Sequence, residues 1–175
     1  MTTEIPWGRL LAWPDVQVVE RHLTLTADVE QRTTIARDLD LEGLAKLCGD
    51  LKLKPWLDGV EINARITADL TRLCGVSLEP FDVAIDERVR IRIVPTGSPN
   101  APAPESAEVI VDLEGDDPPD EAIDGVIDLT AYVVESLALA LDPFPRKPGA
   151  VFTQPESTGP ISPFAVLSSL GKRIK

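Results

Sequence analysis

Histidine is almost missing from this chain of 175 residues: His22 is the only one. A general base or a metal site built on imidazoles therefore has a single candidate. A lone histidine at a polar strand position reads as a solvated side chain, because metal and triad chemistry need partners that the sequence does not supply. Cysteine is also scarce. Cys48 and Cys74 stand apart with no CxxC pair and no ligand spacing, which excludes a disulfide framework and a zinc ribbon. Aromatic residues make up 5% of the chain, and none is interleaved with the basic residues, so no platform for stacking bases is spelled out. There is no apolar run of about 18 residues, so no membrane span is expected. A phosphate-cradling Gly-rich loop, a hydrolase elbow and an internal repeat are absent too. The opening MTTEIPWGRLLAWPD does not read as a signal peptide: Glu4 comes early, no basic region leads, and Pro6 and Pro14 break the apolar stretch. A cytoplasmic protein with free thiols is the simplest reading.

Acid is plentiful. The net charge is −12, and it is unevenly spread. Residues 105–142 hold twelve Asp and Glu with no Lys or Arg, whereas residues 143–175 hold five cations against Glu156 alone. That balance argues against a conventional non-specific nucleic-acid binder, which needs many phosphate contacts. It suits a protein that docks on a basic partner, and it still allows local basic patches.

Residues 1–15 read as an irregular lead-in whose Trp7 and Trp13 fold back over a sheet. Val18 to Thr26 reads as a first strand with Leu23, Leu25 and Ala27 on one face. Asp28 to Asp38 reads as a short helix with Val29, Ala36 and Leu39 inward. Gly43 to Lys54 is a strand with Ala45, Leu47, Leu51 and Leu53 inward, followed by the turn KPWLDG. Val60 to Leu70 then alternates strictly: Val60, Ile62, Ala64, Ile66, Ala68 and Leu70 inward, Glu61, Asn63, Arg65 and Thr67 outward. The two strands make a long hairpin. At Arg72 the alternation breaks, and a bulge or turn is expected there. Asp82 to Val94 is a further strand, with Val83, Ile85, Val89, Ile91 and Ile93 on one face.

Residues 95–120, rich in proline and acid, read as a long loop with one apolar islet at Val109–Leu113. Asp128 stands at an N-cap position, and Leu129, Val133, Leu137, Ala140 and Leu141 follow at helical spacing up to a stop at Pro143. This helix is apolar nearly all round, so burial in the core is expected. Pro145 to Pro160 reads as a linker and Ser162 to Leu170 as a short terminal helix. The fold expected is α+β: an antiparallel sheet, a long hairpin plus further strands, packed against one long C-terminal helix and one short helix. Residues 1–150 form the domain and 151–175 a flexible tail.

Few residues suggest chemistry. Arg88, Arg90 and Arg92 are spaced two apart and share one strand face, which Lys52, Lys54 and Arg65 extend if the strands are neighbours. That face reads either as a patch for RNA phosphates or an acidic protein, or as a solvated face paired with the acidic loop. The acidic run 112–121 lacks calcium-loop spacing and holds two prolines. A nuclease built on clustered carboxylates has nothing to fix their geometry. Cys74 reads as a half-buried structural thiol. Glu135, the one charge inside the long helix, either pairs with Arg72 or another arginine or marks the solvent edge. No catalytic residue, metal site, cofactor or small-molecule substrate is evident.

Two stretches resemble a known family. RITADLTRLCGVSLEPFDVAIDERVRIRIVP looks like its central cysteine motif: a strand, a Cys, a Leu-Glu-Pro turn and another strand. DGVIDLTAYVVESLALALDPFPRKPGAVF looks like its C-terminal motif, ending in Pro-x-Pro and cations. In this order, with an acidic spacer, the pair resembles the YceD-like family of large ribosomal RNA subunit accumulation proteins. The tail SPFAVLSSL resembles the ending of alphaproteobacterial members. Many relatives carry two cysteines in the central motif; here only Cys74 is present, followed by Val76 and Ser77. The resemblance implies a cytoplasmic, non-enzymatic factor needed for 23S rRNA to accumulate, with large-subunit rRNA or its precursor particle as partner. A ribosomal protein or an rRNA-processing enzyme is the alternative partner. The positions it transfers are motif positions, candidates for interaction: Arg72, Cys74, Leu78, Glu79 and Pro80 from the first motif, and Asp128, Leu129, Glu135, Pro143, Pro145 and Arg146 from the second.

Overall fold

The structure, a computed structural model, describes residues 2–13, 19–102 and 117–152. In chain order it contains β1 (Thr2–Glu4), β2 (Leu10–Ala12), β3 (Arg21–Thr26), α1 (Val29–Asp38), β4 (Gly43–Trp56), β5 (Gly59–Leu73), β6 (Pro80–Pro95), β7 (Asp120–Ala122), a 3-10 turn (Ile123–Gly125), β8 (Val126–Asp128) and α2 (Leu129–Ala140). The apolar islet at 109–113 and the terminal helix expected at 162–170 lie outside the described residues, as does Val18.

The class is α+β. Its main sheet has six strands in the order β1-β3-β4-β5-β6-β7. The centre, β3 to β6, is antiparallel, as expected. The sheet as a whole is mixed, because β1 pairs parallel with β3 and β7 parallel with β6. Those edge strands are short and come from the lead-in and from the end of the acidic loop, where sequence periodicity is too brief to register. The lead-in also supplies β2, which pairs antiparallel with β8. Trp7 and Trp13 pack against the core, and the Gly8 amide donates to Thr130 Oγ1 at 2.9 Å, tying the lead-in to α2.

The hairpin forms because a strict period of two buries one face. All six inward positions of β5 named above are buried. The connection is tighter than KPWLDG suggests: β4 runs on to Trp56, which pairs with Gly59, leaving Leu57 and Asp58 as the turn. Gly59 is required there, since a Cβ would collide with the carbonyl oxygen of Ile93 on β6. A register shift between Leu44 and Lys46 corrects the facing of β4. The extra residue turns Ala45 outward and buries Leu44, whereas Leu47, Leu51 and Leu53 face the core as expected. No break occurs at Arg72: β5 continues to Leu73, and Arg72 pairs with Phe81 of β6.

Both helices cover the sheet by one stripe. α1 is opened by a capping box in which Asp28 and Gln31 exchange bonds. It buries Ile35 and Ala36, and Val29, at its first position, points to solvent instead of inward. α2 is capped as expected, Asp128 accepting from the amides of Thr130 and Ala131. It is shorter than expected, at 12 residues. Leu141 is already extended, one residue ahead of Asp142, which Pro143 holds out of the α region. It is also not apolar-buried all round. Leu129, Val133 and Leu137 are fully buried, whereas Leu139 is 81% exposed. Each buried leucine contributes about 1.5–3 kcal/mol of hydrophobic stabilisation. Gly49 of β4 lies under the helix: a Cβ there would sit 2.7 Å from Val133 Cγ2.

Candidate functional site

The β5–β6 connection, Cys74 to Glu79, is a tight knuckle. The Cys74 amide donates to the Glu79 carbonyl at 2.9 Å, the Leu78 amide to the Cys74 carbonyl at 2.9 Å, and Leu78 sits in the left-handed region with φ of 57°. Against this knuckle lies the chain leaving α2. The Gly75 amide donates to the Pro145 carbonyl at 2.8 Å. The Arg72 guanidinium donates to the Asp142 carbonyl. The Lys147 ammonium meets Glu79 Oε2 at 2.8 Å. Residues about seventy positions apart are thereby joined side by side.

Cys74 is at the centre of the joint. Its side chain is fully buried, and its sulfur accepts from the amides of Val76 and Ser77 at 3.4 Å each and of Lys147 at 3.3 Å. Hydrogen bonds from Ser77, first its side chain and then its amide, and from the Lys147 amide outweigh burial and bring the thiol pKa down to about 6. The sulfur thereby ties the two segments together, and the same donors favour its thiolate form. It is more buried than the half-buried thiol expected.

The motif positions divide into three groups. Arg72, Cys74, Glu79 and Pro145 are brought together in the joint. Leu78, Pro143 and Arg146 are exposed on it, with Phe144 78% exposed between the two prolines. Pro80 opens β6, Asp128 caps α2 and Leu129 is core. Glu135 is exposed on the outer side of α2, beside Tyr132 and away from Arg72. Lys147, not among the transferred motif positions but part of the basic segment 143–147 that leaves the helix, completes the joint.

The six cations of the basic face do share one side of the sheet. Strand register pairs Arg65 with Arg88, Asn63 with Arg90, Glu61 with Arg92 and Lys54 with Glu61. Acids stand between them. Lys52 meets Glu20 at 3.0 Å, and Arg65 makes a bidentate pair with Asp86 at 2.7 and 2.6 Å. Lys54 and Arg92 both meet Glu61, at 2.8 and 3.1 Å. Trp56 lies 4.9 Å beneath the Arg92 guanidinium, an aromatic partner invisible in the linear spacing. Glu61, an outward position by alternation, is only 5% exposed, because Lys54, Arg92 and Asn63 close over it. Hydrogen bonds from Lys54, then Asn63 and Arg92, pull its carboxyl down to about 2 against the opposing effect of burial. Among the described residues no three His, Cys, Asp or Glu side chains gather as a metal site, and no helix is long and apolar enough to cross a membrane.

The fold and the joint together define an α+β protein whose two sequence motifs build one surface feature. The particular family follows from comparison: the profile described as large ribosomal RNA subunit accumulation protein YceD matches residues 62–170, more than half of the chain. The chain belongs to that family, as the two motifs suggested. The matched region begins inside β5 and includes both sides of the joint. No curated protein and no solved structure matches the chain.

Proposed function

We propose that this protein is a cytoplasmic, non-enzymatic factor that supports accumulation of 23S rRNA, through synthesis, processing or protection within the large-subunit precursor. We further propose that the joint between the knuckle and the α2 exit is its docking point. The observation that carries this reading is the exposure of Phe144, Leu78 and Arg146 on backbone held by the Cys74 sulfur and the Gly75–Pro145 bond. Apolar side chains on ordered backbone are what an interface core needs. In cells depleted of the protein, 23S rRNA should fall and subunit profiles should shift; unchanged profiles would sink the family-based reading. Complementation with Leu78→Ser plus Phe144→Ser, both at exposed positions, should fail although the purified variant melts like the wild type. Full complementation by that variant would remove the joint as the docking point.

A second reading makes the protein an adaptor for a basic ribosomal protein or an rRNA-processing enzyme. Two features favour it: the net charge of −12 and the carboxylates already bound to Lys52, Lys54, Arg65 and Arg92. Salt-dependent binding to a 23S rRNA fragment, weakened by Arg88→Ala plus Arg90→Ala, would count against it.

A further inference from the structure

A groove of about 410 Å³ opens between β7, the Ile123–Gly125 turn and the first turns of α2. Its floor is apolar: Val126 and Ala131 offer accessible surface, and Ile93 and Ile127 are almost fully buried. Ile123 stands at its rim, 77% exposed. Its walls are acidic: among the described residues Glu121, Asp124 and Glu135 line it, and no Lys or Arg does. Asp120 and Asp128 line it too but are engaged, Asp120 by the Tyr132 hydroxyl at 3.0 Å and Asp128 as the α2 cap. Along α2 the outward stripe Ala131, Glu135 and Leu139, each four residues apart, carries the same alternation of apolar and acidic groups beyond the groove.

We propose that this groove docks a lysine- and arginine-rich peptide segment. The aliphatic stems lie on Val126 and Ala131 and against Ile123, and the charged heads reach Glu121, Asp124 and Glu135 at the walls. Long basic side chains join an apolar stem to a cation, and the groove presents the complement of both parts. Nucleic acid and an anionic lipid surface are repelled by the carboxylates. A hydrated metal ion gains nothing from an apolar floor, and these carboxylates do not converge as a metal cluster. The proposal deepens the adaptor reading, on which the biological identity of the peptide rests. It assigns Glu135, the charged residue inside the helix of the C-terminal motif, to partner recognition.

The test uses the full-length, isotope-labelled protein titrated with a short oligolysine peptide. Amide resonances of Glu121, Ile123, Ala131 and Glu135 should shift together. Affinity should fall roughly tenfold or more in Glu121→Gln/Asp124→Asn/Glu135→Gln, because close charge pairs dominate such contacts. Ile123→Ser should weaken oligolysine more than it weakens a peptide of equal charge built on 2,4-diaminobutyric acid, whose ammonium groups sit on a shorter stem. Shifts spread over the whole acidic surface, equal binding by the triple variant, or the short-stemmed peptide binding as tightly as oligolysine would each overturn the groove. Several-fold tighter binding by Lys172→Gln/Arg173→Gln/Lys175→Gln would assign the groove to the chain's own C-terminus and overturn an external partner. Because resonances are read on the isolated protein, the groove stands or falls independently of 23S rRNA levels in cells carrying the triple variant, which test the adaptor reading.

Discussion

Glu61→Gln should weaken the fold at neutral pH and leave it unchanged in strong acid. The carboxylate lies almost fully covered, with Lys54 at 2.8 Å, Arg92 at 3.1 Å and an Asn63 amide at 3.0 Å. Its pKa falls from an ordinary 4.5 to about 2. At about 1.4 kcal/mol per unit, that difference corresponds to about 3 kcal/mol before screening. The Lys54 side chain is 45% exposed, so water screens the larger contact, and ~1–2 kcal/mol is the effect to expect. The sign is fixed by the direction of the shift. A carboxyl with a lowered folded pKa stabilises the protein above its ordinary pKa, and that contribution is lost as pH falls through the folded value. Glutamine keeps the shape but removes the charge, leaving Lys54 and Arg92 facing one another without an anion.

Urea denaturation of both proteins, at neutral pH and at steps down through the interval from 4.5 to 2, measures the gap directly. The wild type should lead by ~1–2 kcal/mol at neutral pH, with equal slopes in denaturant. The gap should narrow through that interval. Equal stabilities at neutral pH would refute the reasoning, and so would a gap that does not change with pH. The latter would make the substitution a packing defect, not the loss of a charge.

The Cys74 thiolate should be seen directly: its ultraviolet absorbance should titrate near pH 6 instead of near the ordinary value of 9, with the Lys147 amide resonance moving in step. The stability it lends is present above that ordinary value and lost as pH falls through about 6, and Cys74→Ala should speed hydrogen exchange at the Gly75 and Lys147 amides. Gly49→Ala should destabilise by ~1–3 kcal/mol by pressing on Val133, and a double-mutant cycle with Val133→Ala should show coupling. Leu137→Ala should lose about 2–5 kcal/mol, measured by denaturant melts, whereas Leu139→Ala on the same helix should stay within about 0.5 kcal/mol.

Local pattern made much of this legible and distant pairing hid the rest. The β4–β5 hairpin could be read because alternation of apolar residues in β5 has one physical solution, a half-buried strand. The same rule failed at Ala45, where one inserted residue reverses the faces, and no residue type announces a bulge. It failed again at Glu61. Alternation assigns a face but not what covers that face, and here the cover is Lys54, Arg92 and Asn63. Arg72 read as a break because a guanidinium is a poor core group. It keeps its strand by reaching a backbone carbonyl 70 residues further along. The edge strands β1 and β7 were missed because three residues carry no usable period. In the joint, the motif positions were visible, but their meeting was not: nothing local to Cys74 indicates that the Lys147 amide completes its set of donors.

The way that joint is assembled bears on what it is for. Two prolines in the exit segment, Pro143 and Pro145, have no amide to donate. Of the remaining amides there, Phe144 donates to Asp142 Oδ1 at 2.8 Å and Lys147 to the Cys74 sulfur. Backbone on both sides of Phe144 is therefore fixed, yet the ring itself is left in water. Ordering a chain is unfavourable, and burial of apolar surface ordinarily offsets it. Here the ordering is achieved by a buried sulfur, a carboxylate and ring-restricted φ angles, with the apolar ring contributing nothing to it. A partner that covers Phe144 and Leu78 would then gain their full burial with little further loss of backbone freedom, which is the energetic condition for a compact surface to bind tightly.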